Sequence, residues 1–475
     1  MAEEFHVAAV DLGATSGRVM SAVIGPDRID MTEVARFPNG PVRAGGALHW
    51  DIDALRGHVM AGLRAALADD PAITSIGIDS WAVDYGLVAG GELLGAPFHY
   101  RDERCAAGVE AVHTVVPPAE LYAATGLQHL PFNTVFQLAA EGARLDAAEQ
   151  FLLIPDLFAW WLTGRAVAER TNASTTALLD PRTGAWHEGL IERLGLPRSI
   201  FAPLVAPGDE IGPLTSDARA ALATSADVRV TAVGSHDTAS AVVAVPMTRP
   251  DAAYISCGTW GLVGLELEHP VMTDAAREAN FTNEGGVDGR LRFLHNVTGL
   301  WLLSESIRSW EAESGPVDLS SLLAQAARVS GPVPVCDAND PRLAAPGDMP
   351  GRIADVIAES GDVVPATRAE FARSIIESLA AAFADAVATA GRLADREIGV
   401  IHIVGGGSLN ALLCQLTADR SGIPVLAGPV EATALGNVLV QARALGLGGS
   451  LEELREFVAR THPPQRYLPR AARRH

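Results

Sequence analysis

Apolar positions change their period several times along the chain, and each change marks an element. Val228-Arg229-Val230-Thr231-Ala232-Val233 alternates and is rich in β-branched residues, the pattern of a half-buried strand. It runs into Gly234-Ser235-His236-Asp237-Thr238-Ala239-Ser240, which places Asp237 beside an imidazole, among small residues, just past a strand's carboxyl end. Ligands bind at that end of the strands in open α/β sheets, and Asp237 is the candidate base of an enzyme. Asp is also a favoured N-cap, and the helix opening at Thr238-Ala239-Ser240-Ala241 offers it that second role.

Near the start, His6-Val7-Ala8-Ala9-Val10 is a short apolar strand that ends in Asp11-Leu12-Gly13-Ala14-Thr15-Ser16-Gly17-Arg18, and Val19–Ile24 is a second strand. The spacing predicts a hairpin whose turn, Ala14, Thr15, Ser16, Gly17 and Arg18, aims backbone N–H groups and small hydroxyls at a phosphate. Asp11 at the strand end is placed to hold Mg²⁺ through water; an ordinary hairpin with a capping aspartate has the same pattern, and an arginine after a turn is often a solvated surface residue. The arrangement recurs in Ala252–Gly264, where Gly258 and Thr259 take the places of the first turn and Gly258 aligns with Gly13. A third apolar strand, Val400–Val404, leads into Gly405-Gly406-Gly407-Ser408 and a helix from about Asn410 to Ser421, a geometry that lets backbone lie against a nucleotide. Strands alternating with helices make the fold class α/β. Two hairpins of this kind resemble the actin, Hsp70 and sugar-kinase superfamily.

Between the hairpins, Ser75–Tyr85 reads as a buried strand ending in carboxylates and Trp81, a platform for a sugar or a core residue in equal measure. Polar clusters flanked by aromatics follow at Tyr100-Arg101-Asp102, Leu130–Thr134, Ile154–Phe158 and Thr171–Thr176. They suit recognition of hydroxyls, although Asn172–Thr176 would equally cap a helix. Pro246-Met247-Thr248-Arg249-Pro250 breaks regular structure and divides the chain into lobes at 1–245 and 246–475. The proline-, glycine- and aspartate-rich stretch Pro332–Asp362 predicts long surface loops. Helical periodicity returns over Arg368–Leu393, with Phe371, Ile375, Ile376 and Leu379 on one face, and the tail Pro464–His475 is expected to fray.

Composition narrows the chemistry. A chain of 475 residues with 48% hydrophobic positions buries ample core, and a net charge of -21 opposes nucleic acid or an anionic membrane as a partner. All 36 basic residues are arginine, so the lysine-dependent P-loop, protein-kinase and pyridoxal mechanisms are excluded. Cys105, Cys257, Cys336 and Cys414 are scattered without metal or disulfide spacing, as in a cytoplasmic protein with reduced thiols. The acidic start Met1–Phe5 is unlike a signal peptide, and no uninterrupted apolar run of membrane-spanning length is present.

Taken together, Ala9–Met20, Leu130–Thr134, Leu153–Asp156, Ser235–Val242, Thr282–Gly286, Gly299–Leu303, His402–Gly407 and Ala427–Ala432 occur in the order of the FGGY carbohydrate kinases, and the chain resembles that family along nearly its whole length. The resemblance implies two ribonuclease H-like lobes with a nucleotide and sugar cleft between them, closure of the lobes to exclude water, and ATP with Mg²⁺ as cofactors. Within the family it is similar to the members acting on L-rhamnulose, which implies phosphorylation of that ketose to its 1-phosphate. By the same resemblance Asp237 is the base, Ala82, His236, Thr238 and Asn296 meet the sugar, and Ala14 to Arg18, Thr259, Ser304 and Gly405 meet the nucleotide. Ala82 stands where those members carry glycine and Ser304 where they carry glutamine, which leaves L-fuculose or a ketopentose such as L-xylulose as other acceptors. The chain is expected to work as a monomer or homodimer. A non-catalytic nucleotide-binding relative would lack the base and the sugar-reading segments that are present here.

Overall fold

Phe5–Leu12 is the strand around which the first sheet is laid, and every position from Val7 to Leu12 is buried. A strand covered on both faces is apolar at nearly every position rather than alternating, which is why this segment reads as a continuous run. It pairs antiparallel with Ser16–Ile24 through the glycine-rich turn and parallel with Ser75–Ser80 on its other edge. The computed structural model describes residues 4–470, and the six strands of this sheet run in the order Glu210–Pro213, Arg229–Thr231, Ser75–Ser80, Phe5–Leu12, Ser16–Ile24, Ile29–Pro38.

Helices cover this sheet where small residues permit close approach. Ile52–Asp69 is capped by Asp51, whose carboxylate accepts from the Ala54 N–H, and buries Leu55, Val59, Leu63 and Leu67 at helical spacing. Ala432–Ala442 lies across Phe5–Leu12 and Ser75–Ser80. A Cβ at Gly77 would stand 2.6 Å from Nε2 of Gln441 on that helix, so only glycine admits its polar face.

The second sheet repeats the local plan of the first. Ala252–Cys257 pairs antiparallel with Trp260–Leu267 across a two-residue turn and parallel with Val400–Val404. The full order is Thr282–Gly285, Leu291–Thr298, Trp260–Leu267, Ala252–Cys257, Val400–Val404, Val425–Ala427, Gln465–Tyr467. The chain divides into a first unit of Met1–Ala244, Glu266–Phe293 and Ala432–Thr461, and a second of Val245–Leu265, Leu294–Glu431 and His462–His475.

Helix Arg368–Leu393 opens with a reciprocal capping box between Thr367 and Glu370 and buries Ile375, Ile376, Leu379 and Phe383 completely. Among the described residues it alone is long and apolar enough to cross a membrane, but 72% of its apolar window is buried inside the protein, as in a core helix.

Three expectations are corrected. Pro332–Asp362 is not loop throughout: Met349–Glu359 is a helix, started by the Asp348 side chain on the Gly351 N–H and packed through Ile353, Val356 and Ile357. The tail is partly ordered, with Gln465–Tyr467 pairing antiparallel with Val425–Ala427 and Arg470 bound to Asp419; residues 471–475 lie outside the described residues. Asn172 does not cap a helix but lies inside Arg170–Ala173, where Glu169 is the cap.

Candidate functional site

Asp237 opens the helix Asp237–Val243, with His236 at the N-cap position and no side-chain capping bond. The capping role open to Asp237 in the sequence is therefore not what its carboxylate does. Thr238 Oγ1 donates to Oδ1 at 3.0 Å, and His236 Nε2 lies 3.5 Å from the same oxygen. The Thr238 backbone N–H also favours the ionised carboxylate. The side chain is 30% exposed, so a hydroxyl can reach it from solvent. Loss of surrounding water pushes its pKa above the ordinary carboxylate value, His236 opposes that shift, and the negative charge of Asp11 adds to it. A partly exposed carboxylate that is oriented through Oδ1 and whose pKa is raised is equipped to accept a proton.

The loop carrying Asp237 is pinned by a residue that the sequence did not flag. Glu169, only 1% exposed, accepts from the N–H of Thr171 (2.8 Å), Asn172 (3.3 Å) and Ser235 (3.0 Å), and from the hydroxyl of Ser235 (2.8 Å) and of Thr171. Thr171 Oγ1 in turn accepts the His236 N–H at 3.3 Å, and Ser80 N–H donates to the Ser235 carbonyl at 2.9 Å. Burial raises the Glu169 pKa, and these donors hold it back. The polar run Thr171–Thr176 thus builds the scaffold behind the base, with Ser174, Thr175 and Thr176 each returning a hydroxyl to backbone three residues earlier.

Behind His236 lies a second unflagged pair. Arg292 is fully buried, its Nη2 is 3.0 Å from His236 Nδ1 and 3.2 Å from Glu284 Oε2, and its Nε donates to the Gly285 carbonyl at 2.9 Å. Burial raises the Glu284 pKa, but Arg292 and His236 outweigh it and hold the carboxyl below its usual range.

Ala82, half-buried, precedes Val83, whose φ of +68° is a rare backbone state for a β-branched residue. Thr134 Oγ1 donates to the Val83 carbonyl at 2.8 Å and helps to hold that conformation. Trp81 is 6% exposed and packs against Trp50 with ring centroids 4.1 Å apart and planes tilted by 35°, which makes it core rather than an open platform. Both indoles donate to Asp84 Oδ2, at 3.1 Å from Trp81 and 2.6 Å from Trp50, while Gln137 donates to Oδ1 at 2.8 Å. Burial pushes the Asp84 pKa up to about 6 against those bonds. The other polar clusters also serve the scaffold: Asn133 donates to the Gln128 carbonyl, Asp102 accepts from Leu48 and Arg104, and Asp156 accepts from Glu169 N–H.

In the first turn, Gly13 N–H closes on the Ser16 carbonyl at 2.9 Å, and Asn39 clamps it by bonding the Gly13 and Thr15 carbonyls. Thr15 is exposed, and Ala14, Ser16 and Arg18 are half-buried. Arg18 is not a solvated surface residue, because its Nε and Nη2 both donate to Asp11. Directly across the parallel pairing stands Asp79, fully buried, its Oδ2 accepting from Asn437 at 2.6 Å and its Oδ1 without a partner. Burial first, and then the charge of Asp11, raise the Asp79 pKa well above the ordinary carboxylate value. Among the described residues no three acidic, histidine or cysteine side chains form a metal cage. The Asp11 carboxylate beside the glycine-rich turn fits Mg²⁺ nevertheless, since that ion takes one or two carboxylates and completes its shell with water and phosphate oxygens.

Thr259, Asn296, Ser304 and Gly405 belong to the second unit, whereas Asp11, Ala14 to Arg18, Ala82 and His236 to Thr238 belong to the first. Gly258 N–H closes its turn on the Trp260 carbonyl at 2.8 Å, and the carbonyls of Gly258 and Thr259 accept from Leu300 and Gly299 at 2.9 and 3.1 Å. Those bonds seat the turn on the start of helix Trp301–Ser314, where Ser304 is exposed one turn in. Asn296 is half-buried in strand Leu291–Thr298. Of the triple glycine, Gly405 has φ +77° and a Cβ there would stand 2.9 Å from the Cys257 carbonyl; Gly407 packs on the Cys257 side chain, and Gly406 faces open space. Two of the three glycines, Gly405 and Gly407, are thus required by packing.

The chain matches the N-terminal domain of the FGGY family of carbohydrate kinases over residues 7–244 and the C-terminal domain over residues 253–445. It is 42% identical to a rhamnulokinase from Pectobacterium atrosepticum over 473 residues, covering 98% of this chain and 93% of that one. It is 39% identical to a rhamnulokinase from Bacteroides thetaiotaomicron over 466 residues, covering 97% and 95%. In fold it is similar to a ligand-bound xylulose kinase from Lactobacillus acidophilus (TM-score 0.79, 18% identity, covering 98% and 94%) and to Plasmodium falciparum glycerol kinase with ADP (TM-score 0.77, 14% identity, covering 98% and 94%). With its two sheets each built on a turn-closed hairpin and a parallel third strand, and with both family domains matched in order, the chain belongs to the FGGY family of carbohydrate kinases.

Proposed function

We propose that the protein transfers the γ-phosphoryl group of ATP to the 1-hydroxyl of L-rhamnulose, with Asp237 as general base. The observation that carries the mechanism is the setting of the Asp237 carboxylate: Oδ1 is engaged by Thr238 and approached by His236, and the side chain is 30% exposed, so a hydroxyl can reach it. The sugar hydroxyl gives its proton to Oδ2, its oxygen bonds to the γ-phosphorus, and the bond from that phosphorus to the β-bridging oxygen breaks to leave ADP. Such a transfer needs positioning and charge neutralisation more than covalent work. Donor-rich turns at Ala14 to Arg18 and at Gly258-Thr259 supply N–H groups for the phosphates, and Asp11 would hold Mg²⁺ through its water shell. That ion, bound with ATP, neutralises phosphate charge. His236, Thr238, Asn296 and the backbone at Ala82 read the sugar, and Ser304 and Gly405 meet the nucleotide. The choice of L-rhamnulose is supported by the rhamnulokinases that the chain resembles over nearly its full length. Work in the cytoplasm as a monomer or homodimer completes the reading.

A second reading, a ketopentose acceptor, is favoured by one observation, the methyl of Ala82 at a backbone position that meets sugar. A panel of L-rhamnulose, L-fuculose and L- and D-xylulose with ATP and Mg²⁺, followed by ADP release, separates the two. L-Rhamnulose is expected to give the highest kcat/KM, and Ala82→Gly is expected to keep or raise it, a methyl-sized change being worth about 10- to 200-fold at most. Preference of the unmodified protein for a ketopentose by about tenfold or more overturns the acceptor and leaves the kinase standing.

A further inference from the structure

We propose that Arg292, with Glu284 as its counter-charge, fixes the proton of His236 on Nε2 and so makes the imidazole a hydrogen-bond donor to Asp237. The inference rests on the reading of Asp237 as the base, and it assigns Arg292 and Glu284 as positioning residues for that base.

Three side chains meet at one ring nitrogen. Arg292 Nη2 lies 3.0 Å from His236 Nδ1, and Glu284 Oε2 lies 3.3 Å from the same atom. A guanidinium is always protonated in proteins and can only donate. At the shorter of the two distances the nitrogen facing Arg292 must therefore accept. Glu284 Oε2 is 3.2 Å from Arg292 Nη2, an ion pair without a hydrogen bond, so the arginine offsets its charge while the ring proton is left to the other nitrogen. Arg292 is itself aimed by its Nε, which donates to the Gly285 carbonyl at 2.9 Å. A neutral imidazole has a single N–H, and the hydrogen bond made at one nitrogen decides which of the two carries it. With Nδ1 accepting, the proton resides on Nε2, the atom that faces Asp237 Oδ1 at 3.5 Å. That separation is long for a hydrogen bond, as contacts of this kind are before substrate arrives. Thr238 Oγ1 donates to the same oxygen at 3.0 Å. Two donors converging on Oδ1 stop the carboxylate from rotating and turn Oδ2 toward the incoming hydroxyl. The reverse tautomer would set an Nε2 lone pair against Oδ1 and lose that hold.

Nitrogen NMR on protein labelled with ¹⁵N at histidine tests this directly, with the His236 signal identified by its loss in His236→Asn. The ligand-free protein at neutral pH is expected to show the Nε2–H tautomer. In Arg292→Met, Glu284 is left to capture a proton on Nδ1, so the signal is expected to switch to the Nδ1–H form while kcat falls about 10- to 100-fold and the KM for ATP stays within about twofold. Arg292→Met leaves a buried carboxylate unpaired and can fail to fold; Arg292→Met/Glu284→Gln strands no charge and is expected to show a mixture of tautomers. A ring protonated on Nδ1 in the unmodified protein overturns the proposal, and so does an unchanged tautomer in the folded variants. Normal turnover by Asp237→Asn, with His236 still in the Nε2–H form, would instead remove the base and leave the tautomer assignment intact.

Discussion

Arg18 donates two hydrogen bonds, from Nε at 2.8 Å and from Nη2 at 2.6 Å, to a single oxygen of Asp11, its direct partner across the antiparallel pair. The carboxylate is held in place at the strand end by a cation that also belongs to the turn proposed to meet phosphate. Asp11→Asn keeps the shape but removes the charge that attracts the hydration shell of Mg²⁺. The Mg²⁺ concentration giving half-maximal activity is expected to rise about 10- to 100-fold, with sugar affinity by calorimetry unchanged. A Mg²⁺ titration that superimposes on that of the unmodified protein would remove Asp11 from metal binding.

The two turns differ as places to test phosphate binding. A Cβ at Gly13 would stand 2.9 Å from the Ser16 carbonyl, so a substitution there disturbs the turn itself. A Cβ at Gly258 meets nothing within 4 Å, so a side chain there would project into open space, where the proposed function puts a phosphate. Gly258→Val is therefore expected to melt with the unmodified protein while ATP affinity drops by about tenfold or more. Unchanged ATP binding by calorimetry in the folded variant contradicts the phosphate role of this turn.

Five donor groups converge on Glu169 from Thr171, Asn172 and Ser235. Glu169→Gln replaces one acceptor oxygen by an NH₂ that faces donors, and leaving buried donors unsatisfied costs about 1–3 kcal/mol. Urea unfolding is expected to show a loss of that size. Because Ser235 and the His236 N–H depend on this anchor, kcat should fall as well. Stability and kcat both unchanged would show that the loop is held by other means.

Asp84 gives a pH signature. Its pKa rises from 3.8 to about 6 in the folded protein, so between those values the folded chain binds more proton than the unfolded chain. Stability from this group is full below 3.8, is lost as pH rises through about 6, and the loss amounts to about 3 kcal/mol at neutral pH. Asp84→Asn does not titrate. The unfolding free energy of the unmodified protein minus that of Asp84→Asn should therefore decrease by about 3 kcal/mol from pH 3.5 to pH 7. A difference that is flat with pH would mean that Asp84 titrates at its ordinary value.

What was legible in the sequence was local. Phe5–Leu12 and Ala252–Cys257 announced themselves as apolar runs ending in glycine turns, and Asp237 as an acid among small residues past a strand. The anchors of Asp237 were not legible, because Glu169 lies 66 residues before Ser235 and Arg292 lies 56 after His236. Asn437, which donates to Asp79, is 358 residues away. Periodicity carries no information over such separations, and glutamate is not among the favoured cap residues that would have flagged Glu169. The helix Met349–Glu359 was hidden for a different reason: its start, Asp348 with Pro350 in the first turn, is made of the residues that also make loops. For Trp81 the sequence leaves sugar platform and core equally open, because an indole at a strand end fits either role, and only its burial against Trp50 decides for the core.

Kinetics of Asp237→Asn decide whether Asp237 takes the proton of the sugar hydroxyl. The asparagine keeps the size of the side chain and cannot accept that proton. Burial already raises the Asp237 pKa, so its ionised form opposes folding at neutral pH, and the variant is expected to be at least as stable as the unmodified protein. With L-rhamnulose and Mg²⁺–ATP, kcat is expected to fall by about 10²- to 10⁴-fold while ATP affinity is unchanged. A folded Asp237→Asn protein that turns over near the unmodified rate would contradict the claim.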